Sequence, residues 1–294
     1  MHWIRLKNSK IRVYGKEGKL LPKGMAEEHT AFLHNLLSND IKGMADNTMT
    51  YNLWLRQNGF PIGEFYVLKL GNSYLLDTPL DRSFVLEEFS RLKLSMRVYF
   101  EALDMDHVFI FGEGARDFIL SSFGVELKEG EAKELNGMLV ARNDIRLREE
   151  GYDIIGENLN IDLKEEEGVK EEDFEHERIL RMVPRLGKEL KEGFSPLEAC
   201  LLKYAISLTK GCYVGQEAIA RVHYRGRPAR TLALFEGEEL SEGQVIKSGE
   251  KKVGIITSVS PKGHVALGYI LRSSLQAPLS LEDGREIKLI KTCD

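Results

Sequence analysis

The 294-residue sequence predicts an α+β fold with more than one domain. Segments with helical spacing and segments with strand character are mixed through the N-terminal part of the chain. From about Pro228 onward the pattern changes to short strands with turns at regular spacing, which is typical of a small barrel or sandwich. A chain of this length can form about two domains, each with its own hydrophobic core.

The first helix is predicted over residues 25–37, where apolar residues recur at helical spacing before a polar stop. Three short strands follow, and Asn58-Gly59 and Gly71-Asn72 predict the hairpin turns between them. These strands cover residues 51–55, 64–68 and 73–76. An amphipathic helix over residues 81–92 and strands over residues 96–100 and 107–111 complete a unit that is typical of α+β domains.

A capping box predicts a further helix over residues 195–204. Ser195 can cap its first turn, Pro196 suits the first helical position, and Glu198 can bond back to the cap. Cys200 falls on the apolar side of this helix and is expected to be a buried, slowly reacting thiol. The strands predicted beyond it cover residues 231–235, 253–258, 264–269 and 287–290.

Composition and charge exclude several classes of protein. Hydrophobic residues make up 43% and charged residues 30% of the chain, so neither disorder nor a fibrous architecture is indicated. The net charge of -5 argues against a surface built for nucleic acid, although several cations lie between Lys210 and Arg230. Three scattered cysteines are too few for a disulfide framework, and no metal-ligand spacing is present. No segment reaches the ~18 apolar residues of a membrane span, so a cytoplasmic protein without a membrane partner is expected.

One octapeptide, from Lys210 to Glu217, concentrates residue types that can do chemistry. It reads KGCYVGQE and places Cys212 between a cation and a segment that carries a carboxamide and a carboxylate. Glycines on both sides free the backbone to turn, and good helix formers follow from Gln216. A nearby cation and a helix N-terminus both favour the reactive thiolate of a cysteine. A cysteine packed in the core is the alternative, and the residues alone leave both interpretations open.

Together with the downstream residues Ala220, Arg221 and Gly226, this octapeptide resembles the signature of the YgfZ-type folate-binding proteins, which act in iron–sulfur cluster assembly. The similarity is most specific over about residues 176–230. This family is related to the T-protein (GcvT), the aminomethyltransferase of the glycine cleavage system. The resemblance implies a three-domain GcvT/YgfZ-like ring with a small C-terminal β-barrel. A discontinuous folate-binding domain would comprise residues 1–45 plus 104–225 and carry the Cys212 loop, an α+β domain would be inserted at 46–103, and the barrel would occupy 226–294.

The same resemblance implies which residues carry the chemistry. In the T-protein a catalytic aspartate lies in a Gly-x-x-Asp-Asp stretch on a strand, and Gly63 and Glu64 replace the two acids here. One carboxylate therefore remains, and it is one methylene longer. A misplacement of about 1 Å can cost on the order of a hundredfold in rate. Cys212 and Glu64 are thus the two candidate catalytic residues, and they belong to different mechanisms.

Residues that contact the cofactor are implied in the same way. Tyr74 matches a T-protein tyrosine near the folate, and Asp153 replaces a glutamate that holds the pterin ring. A carboxylate can accept two hydrogen bonds from the pterin amino group and the adjacent ring N–H. Arg178 and Arg181 are candidates for binding the glutamate carboxylates of the folate. The remaining candidates come from the octapeptide and the helix after it: Lys210, Tyr213, Gln216, Glu217 and Arg221.

Three functions are compatible with these residues. The leading one is a protein that binds tetrahydrofolate or a one-carbon derivative and supports iron–sulfur cluster assembly or repair, with Cys212 as its functional thiol. Its partners would be iron–sulfur assembly proteins or client enzymes. The second is a folate-dependent one-carbon transferase, an aminomethyltransferase of the glycine cleavage type that uses Glu64. The third is a folate-dependent RNA-binding or RNA-modifying factor, but a polyanionic folate tail already explains the basic segment from Arg221 to Arg230, which disfavours nucleic acid.

Overall fold

The computed structural model describes residues 1–15 and 27–294. Strands and helices alternate irregularly along these residues, as the sequence predicts for an α+β fold. The strands are β1 (His2–Arg5), β2 (Ser9–Gly15), β3 (Thr48–Leu55), β4 (Pro61–Leu70), β5 (Ser73–Thr78), β6 (Val98–Leu103), β7 (Asp106–Phe111), β8 (Ala132–Leu135), β9 (Met138–Arg142), β10 (Gly151–Gly156), β11 (Arg230–Glu236), β12 (Val245–Ser248), β13 (Lys251–Val259), β14 (Val265–Leu271), β15 (Ser280–Leu281) and β16 (Lys288–Thr292). The helices are α1 (Glu28–Leu36), α2 (Arg82–Leu92), α3 (Ala115–Phe123), α4 (Glu171–Leu180), α5 (Leu202–Ala205) and α6 (Gln216–Tyr224).

The described residues form two compact units. The first unit comprises Met1–Leu55, Gly63–Val169 and Tyr204–Val214. The second unit comprises Arg56–Ile62, Lys170–Lys203 and Gly215–Asp294. Cys212 therefore belongs to the first unit, whereas helix α6, which follows it in the chain, belongs to the second. The division into three domains stays a prediction from the sequence.

The first sheet of the first unit has the strand order β3-β4-β5-β2-β6. Its strands β3, β4 and β5 contain the three strands that the sequence predicts, and Gly59 and Gly71 adopt the positive φ that their turns require. Helices α1 and α2 contribute to an aromatic core in which Phe89 contacts Phe32 and Phe100 with ring centroids 5.5 and 5.6 Å apart. Such aromatic contacts stabilise a core beyond the area that they bury.

Both helices of this core have boundaries close to the predicted ones. Helix α2 begins after Asp81, whose carboxylate accepts hydrogen bonds from the backbone N–H groups of Ser83 and Phe84. The helix predicted over residues 25–37 corresponds to α1. Its predicted first residues, Met25 and Ala26, lie outside the described residues.

The second sheet of the first unit has the strand order β1-β7-β10-β9-β8. Its pairs are antiparallel, so one face of each strand can be apolar. Helix α3 packs its buried Ile119 among Val108, Ile110, Val140 and Ile154 of this sheet. Strands β7 and β10 are neighbours in the sheet, which places His107 and Asp153 close together. The predicted strand over residues 107–111 is thus part of this sheet as β7.

The second unit is built around a six-stranded sheet with the order β15-β12-β13-β14-β11-β16. All its pairs are antiparallel, and its core includes Phe235, Ile246, Ile256 and Ile270. The four strands predicted from the turn spacing correspond to β11, β13, β14 and β16. The sequence therefore predicted the β character of this region correctly.

The helix predicted over residues 195–204 is wrong, although its capping contacts form. The Ser195 hydroxyl accepts from the N–H of Leu197, and the Glu198 carboxylate accepts from the N–H of Ser195 at 2.9 Å. Cys200 then adopts a left-handed φ of 57°, which ends the helical turn, and only the short helix α5 follows. The capping box therefore closes a turn and does not begin a long helix.

Cys200 is not the buried free thiol that the sequence predicts, because it forms a disulfide with Cys293. The two residues lie 93 positions apart, and their Cα atoms are 6.0 Å apart in the second unit. Strand pairing of β11 with β16 brings Cys293 to this place, and no short-range sequence pattern predicts that contact. The bond ties the end of the β region to the turn that follows Ser195.

Replacement of both Cys200 and Cys293 by alanine is expected to lower the free energy of unfolding by about 2–5 kcal/mol. The cross-link closes a long loop, so its removal increases the conformational entropy of the unfolded chain. Urea denaturation of the wild type and the double variant, each with and without a strong reductant, measures the effect. Reductant should destabilise only the wild type. A wild-type midpoint that does not respond to complete reduction would contradict the prediction.

Candidate functional site

The loop that carries Cys212 is fixed to the C-terminal end of α1 by Lys210. The ammonium of Lys210 donates to the backbone carbonyls of His34, Leu37 and Asn39, the last at 2.8 Å. The final carbonyls of a helix have no partner within the helix, and a cation satisfies them well. Burial lowers the pKa of Lys210 to about 8. All three ammonium hydrogens are used in these contacts, so Lys210 acts here as an anchor for the loop.

Cys212 is an exposed free cysteine on this anchored loop. A second contact holds the loop beyond it, since the N–H of Val214 donates to the carbonyl of Asn35 at 3.3 Å. The imidazole of His34 lies against the preceding residue, with Nε2 3.8 Å from the place where a Cβ on Gly211 would be. The thiol is thus presented to solvent on a backbone that is held on both sides.

The side chain of Tyr213 is buried, whereas that of the preceding residue, Cys212, is exposed. The Lys210 ammonium nitrogen lies 4.8 Å from the centroid of its ring, within cation–π distance. Its hydroxyl is buried and has no hydrogen-bond partner among the described residues. Burial raises the pKa of Tyr213 to about 12. A buried hydroxyl without a partner is a costly arrangement that a bound acceptor group would relieve.

The rest of the predicted motif lies on α6 in the second unit. Gly215 precedes this helix with a φ of 85°, a conformation that favours glycine. Gln216 is the first residue of the helix, and Glu217 forms an exposed ion pair with Arg221 one turn later, at 2.8 Å. Glu217 and Arg221 are therefore engaged with each other in this structure.

Glu64, the carboxylate implied by the T-protein resemblance, is buried in the first unit. It accepts a hydrogen bond from the hydroxyl of Tyr51 at 2.5 Å. The Tyr51 ring lies 4.9 Å, centroid to centroid, from the ring of Tyr66. Burial and the nearby Glu64 raise the pKa of Tyr51 well above its usual value, so Tyr51 is a neutral donor at physiological pH.

Asp153, the predicted pterin-binding acid, is buried and has partners on both oxygens. Oδ1 accepts from Arg146 Nε at 2.9 Å and contacts His107 Nε2 at 2.8 Å. Oδ2 accepts from Asn143 at 2.7 Å and from the same guanidinium at 3.1 Å. Although burial alone would raise the pKa of Asp153, Arg146 and His107 lower it. Asp153 could bind a pterin only by exchanging one of these partners.

Arg146 joins Asp153 to a larger buried charge network that sequence reasoning missed. Its Nη2 donates to Asp77 at 2.7 Å, and Lys10 pairs with the same aspartate at 2.9 Å. The guanidinium carbon also lies 4.2 Å from the ring centroid of Tyr66. Charged residues are almost never fully buried without partners. Asp77, within the apolar stretch LLDT, was therefore the sequence signal for a buried ion pair.

The other predicted cofactor contacts are also engaged within the protein. The Tyr74 side chain is buried, and its hydroxyl lies 2.9 Å from the hydroxyl of Thr30. In the second unit, Arg178 is buried against Glu175 and Glu189, and Arg181 pairs with Glu177 at 2.7 Å. These two arginines therefore stabilise α4 and its surroundings in this structure. Their proposed contacts with folate stay predictions.

The sequence is similar to an uncharacterised protein, to aminomethyltransferases and to an iron–sulfur cluster assembly factor. No family model matches the chain. An uncharacterised protein of Aquifex aeolicus is 56% identical over 146 residues, which cover 48% of this chain and 98% of that protein. An aminomethyltransferase of Alkaliphilus oremlandii is 23% identical over 85% of this chain and 74% of its own length. The human mitochondrial iron–sulfur cluster assembly factor IBA57 is 30% identical over 40% of this chain but only 35% of that factor.

A crystal structure shows the same fold over nearly the whole chain. The glycine cleavage system aminomethyltransferase T of Bartonella henselae superimposes with a TM-score of 0.81 at 16% identity. The superposition covers 98% of this chain and 84% of that protein. The α+β fold class implied by the sequence resemblance is thereby confirmed. The chain therefore has the fold of the glycine cleavage T-protein, and its sequence is similar to aminomethyltransferases and, over a shorter segment, to an iron–sulfur cluster assembly factor.

Proposed function

We propose that this protein binds tetrahydrofolate or a one-carbon derivative and supports the assembly or repair of iron–sulfur enzymes, with Cys212 as its functional thiol. The observation that carries the proposal is the exposed Cys212 on a loop that Lys210 anchors to α1. An exposed thiol held in place suits chemistry with a partner protein better than it suits packing. The relationship to the human iron–sulfur assembly factor supports this function, and it covers about a third of that factor's length.

Folate binding rests on the fold and on donors that lack partners. Tyr213 and Arg148 each have a buried donor without a hydrogen-bond partner among the described residues. Reduced folates carry carbonyl and carboxylate acceptors that match such donors. Within the protein, Tyr213 would orient an acceptor beside the Cys212 loop. The folate, when bound, would supply a carrier for a one-carbon unit.

The aminomethyltransferase function is the second candidate, because relatives with that name align over most of the chain. Glu64 would carry it, and it is the only one of the two T-protein acids that remains. Its hydrogen bond with Tyr51 occupies one carboxylate oxygen at 2.5 Å. Glu64 is therefore held in a defined position, but no partner acid stands beside it in the sequence.

The RNA-binding function receives less support from the structure. Two cations of the basic segment form ion pairs, Arg221 with Glu217 and Arg230 with Glu198 at 2.9 Å. These pairs reduce the positive charge that could neutralise phosphates.

Among the described residues no helix is both long and apolar enough to cross a membrane. Partner proteins of iron–sulfur assembly are the interaction that we propose.

Calorimetric titration with tetrahydrofolate tests the binding part of the proposal. The wild type is expected to bind and to gain thermal stability in proportion to the logarithm of the ligand concentration. Cys212→Ala should bind with nearly the same affinity, because an exposed thiol is not needed to hold a pterin. Absence of both heat and thermal shift at millimolar tetrahydrofolate would refute folate binding.

A further inference from the structure

Three arginines follow one another at short intervals between β9 and β10, and they differ in their partners. Arg142 pairs with Asp144 at 2.8 Å, and Arg146 pairs with Asp77 and Asp153. In the described part of the chain, Arg148 forms no ion pair and no side-chain hydrogen bond. Its unpaired charge therefore distinguishes it from the other two arginines of the same segment.

The surroundings of Arg148 make this unpaired state costly. The side chain is half-buried, and its Nη2 is buried without a hydrogen-bond partner. Burial lowers the pKa of Arg148, and the groups that act against this shift are the hydroxyls of Tyr204 and Tyr51. A guanidinium in such a place loses hydration that no carboxylate replaces.

The backbone of Arg148 is also strained. Its φ is 54°, in the left-handed region that residues other than glycine rarely adopt. Its N–H closes a turn onto the carbonyl of Ile145. The ring of Tyr204 lies against the guanidinium, with its centroid 5.5 Å from the central carbon, within cation–π distance. A strained backbone and a buried donor without a partner together are typical of residues that bind a ligand.

We infer that Arg148 binds a carboxylate of the ligand, and specifically the glutamyl carboxylate of a reduced folate. The inference rests on the proposed function, since it assigns a residue to the recognition of that cofactor. A guanidinium offers a planar pair of donors that matches a carboxylate, and the buried Nη2 of Arg148 is a donor that no group of the described residues uses. The folate tail would supply the counter-charge that the protein lacks. Asp153 and Arg178, which the sequence suggested for the folate, already have partners.

The test compares tetrahydrofolate with tetrahydropteroate, which lacks the glutamyl group, by calorimetry. The wild type is expected to prefer tetrahydrofolate by about 10- to 100-fold, as for one charge-assisted contact. In Arg148→Gln this ratio should fall close to one, through loss of affinity for tetrahydrofolate alone. Arg142→Gln is the matched control, because it removes a paired arginine of the same segment and should keep the wild-type ratio.

The thermal unfolding temperature without ligand distinguishes a ligand-binding role of Arg148 from a structural one. Arg148→Gln should unfold at the same or a higher temperature than the wild type, since it removes an unpaired, half-buried charge. A wild-type ratio that persists in Arg148→Gln overturns the inference, and so does an equal loss of affinity for both compounds. Equal binding of the two compounds by the wild type overturns it as well, with folate binding itself intact. Failure of the wild type to bind either compound refutes folate binding and the inference together.

Discussion

Cys212→Ala is expected to abolish rescue of a strain that lacks its own YgfZ-type protein. The substitution removes the exposed thiol and leaves the anchors of its loop, Lys210 and Val214, unchanged. Stability should therefore change by no more than about 0.5 kcal/mol, as for most surface substitutions. Growth, or the activity of an iron–sulfur enzyme in the complemented strain, measures the effect. Rescue should fall to the level of the empty vector at equal protein abundance.

Two further variants make this result interpretable. Val214→Ala changes an exposed residue of the same loop and should rescue like the wild type. Glu64→Gln should rescue substantially, because an assembly factor does not need the T-protein acid. It keeps the size of the side chain and one acceptor for the Tyr51 hydroxyl. The opposite order, with Cys212→Ala active and Glu64→Gln inactive, would show that the transferase function is the correct one.

The signals that predicted structure correctly are local ones. Asp81 caps α2 because its carboxylate reaches backbone N–H groups two and three residues later. Gly59 and Gly71 permit turns whose φ values other residues seldom adopt. Short apolar segments separated by these turn signals identified β3 to β5 in the same way. Each of these signals depends only on residues within a few positions of one another.

The features that were missed depend on contacts between distant segments. Lys210 was interpreted as a cation for its neighbour Cys212, but its ammonium binds carbonyls more than 170 positions earlier in the chain. The Cys200–Cys293 disulfide spans 93 positions. Asp77 and Arg146 lie 69 positions apart in the sequence, and only the fold shows that they are partners. Sequence similarity located the Cys212 loop, whereas the partners of its residues could be identified only in three dimensions.

The buried charge network leads to the largest expected effect on stability. Arg146→Met should lower the free energy of unfolding by about 3–5 kcal/mol, because it leaves the buried carboxylates of Asp77 and Asp153 without their shared cation. Arg142→Met is the matched control on the same segment. Its pairs are more exposed, so its loss should stay near 1 kcal/mol or less. Urea denaturation midpoints of both variants and the wild type at pH 7 provide the measurement.

The pH dependence of this difference identifies its cause. Burial alone would raise the pKa of Asp77 in the folded state, but its neighbours Lys10, Arg146 and His107 lower it. The network therefore stabilises the fold at pH values above the unfolded carboxyl pKa of ~3.9. That contribution is lost as the pH falls through the lower, folded pKa. In Arg146→Met the carboxylates instead favour protonation, which relieves the buried charge. The gap in free energy of unfolding between Arg146→Met and the wild type should thus narrow as the pH falls below ~4. A gap that is the same at pH 7 and at a pH well below ~4 would mean that Arg146 acts through packing on Tyr66, and not through its charge.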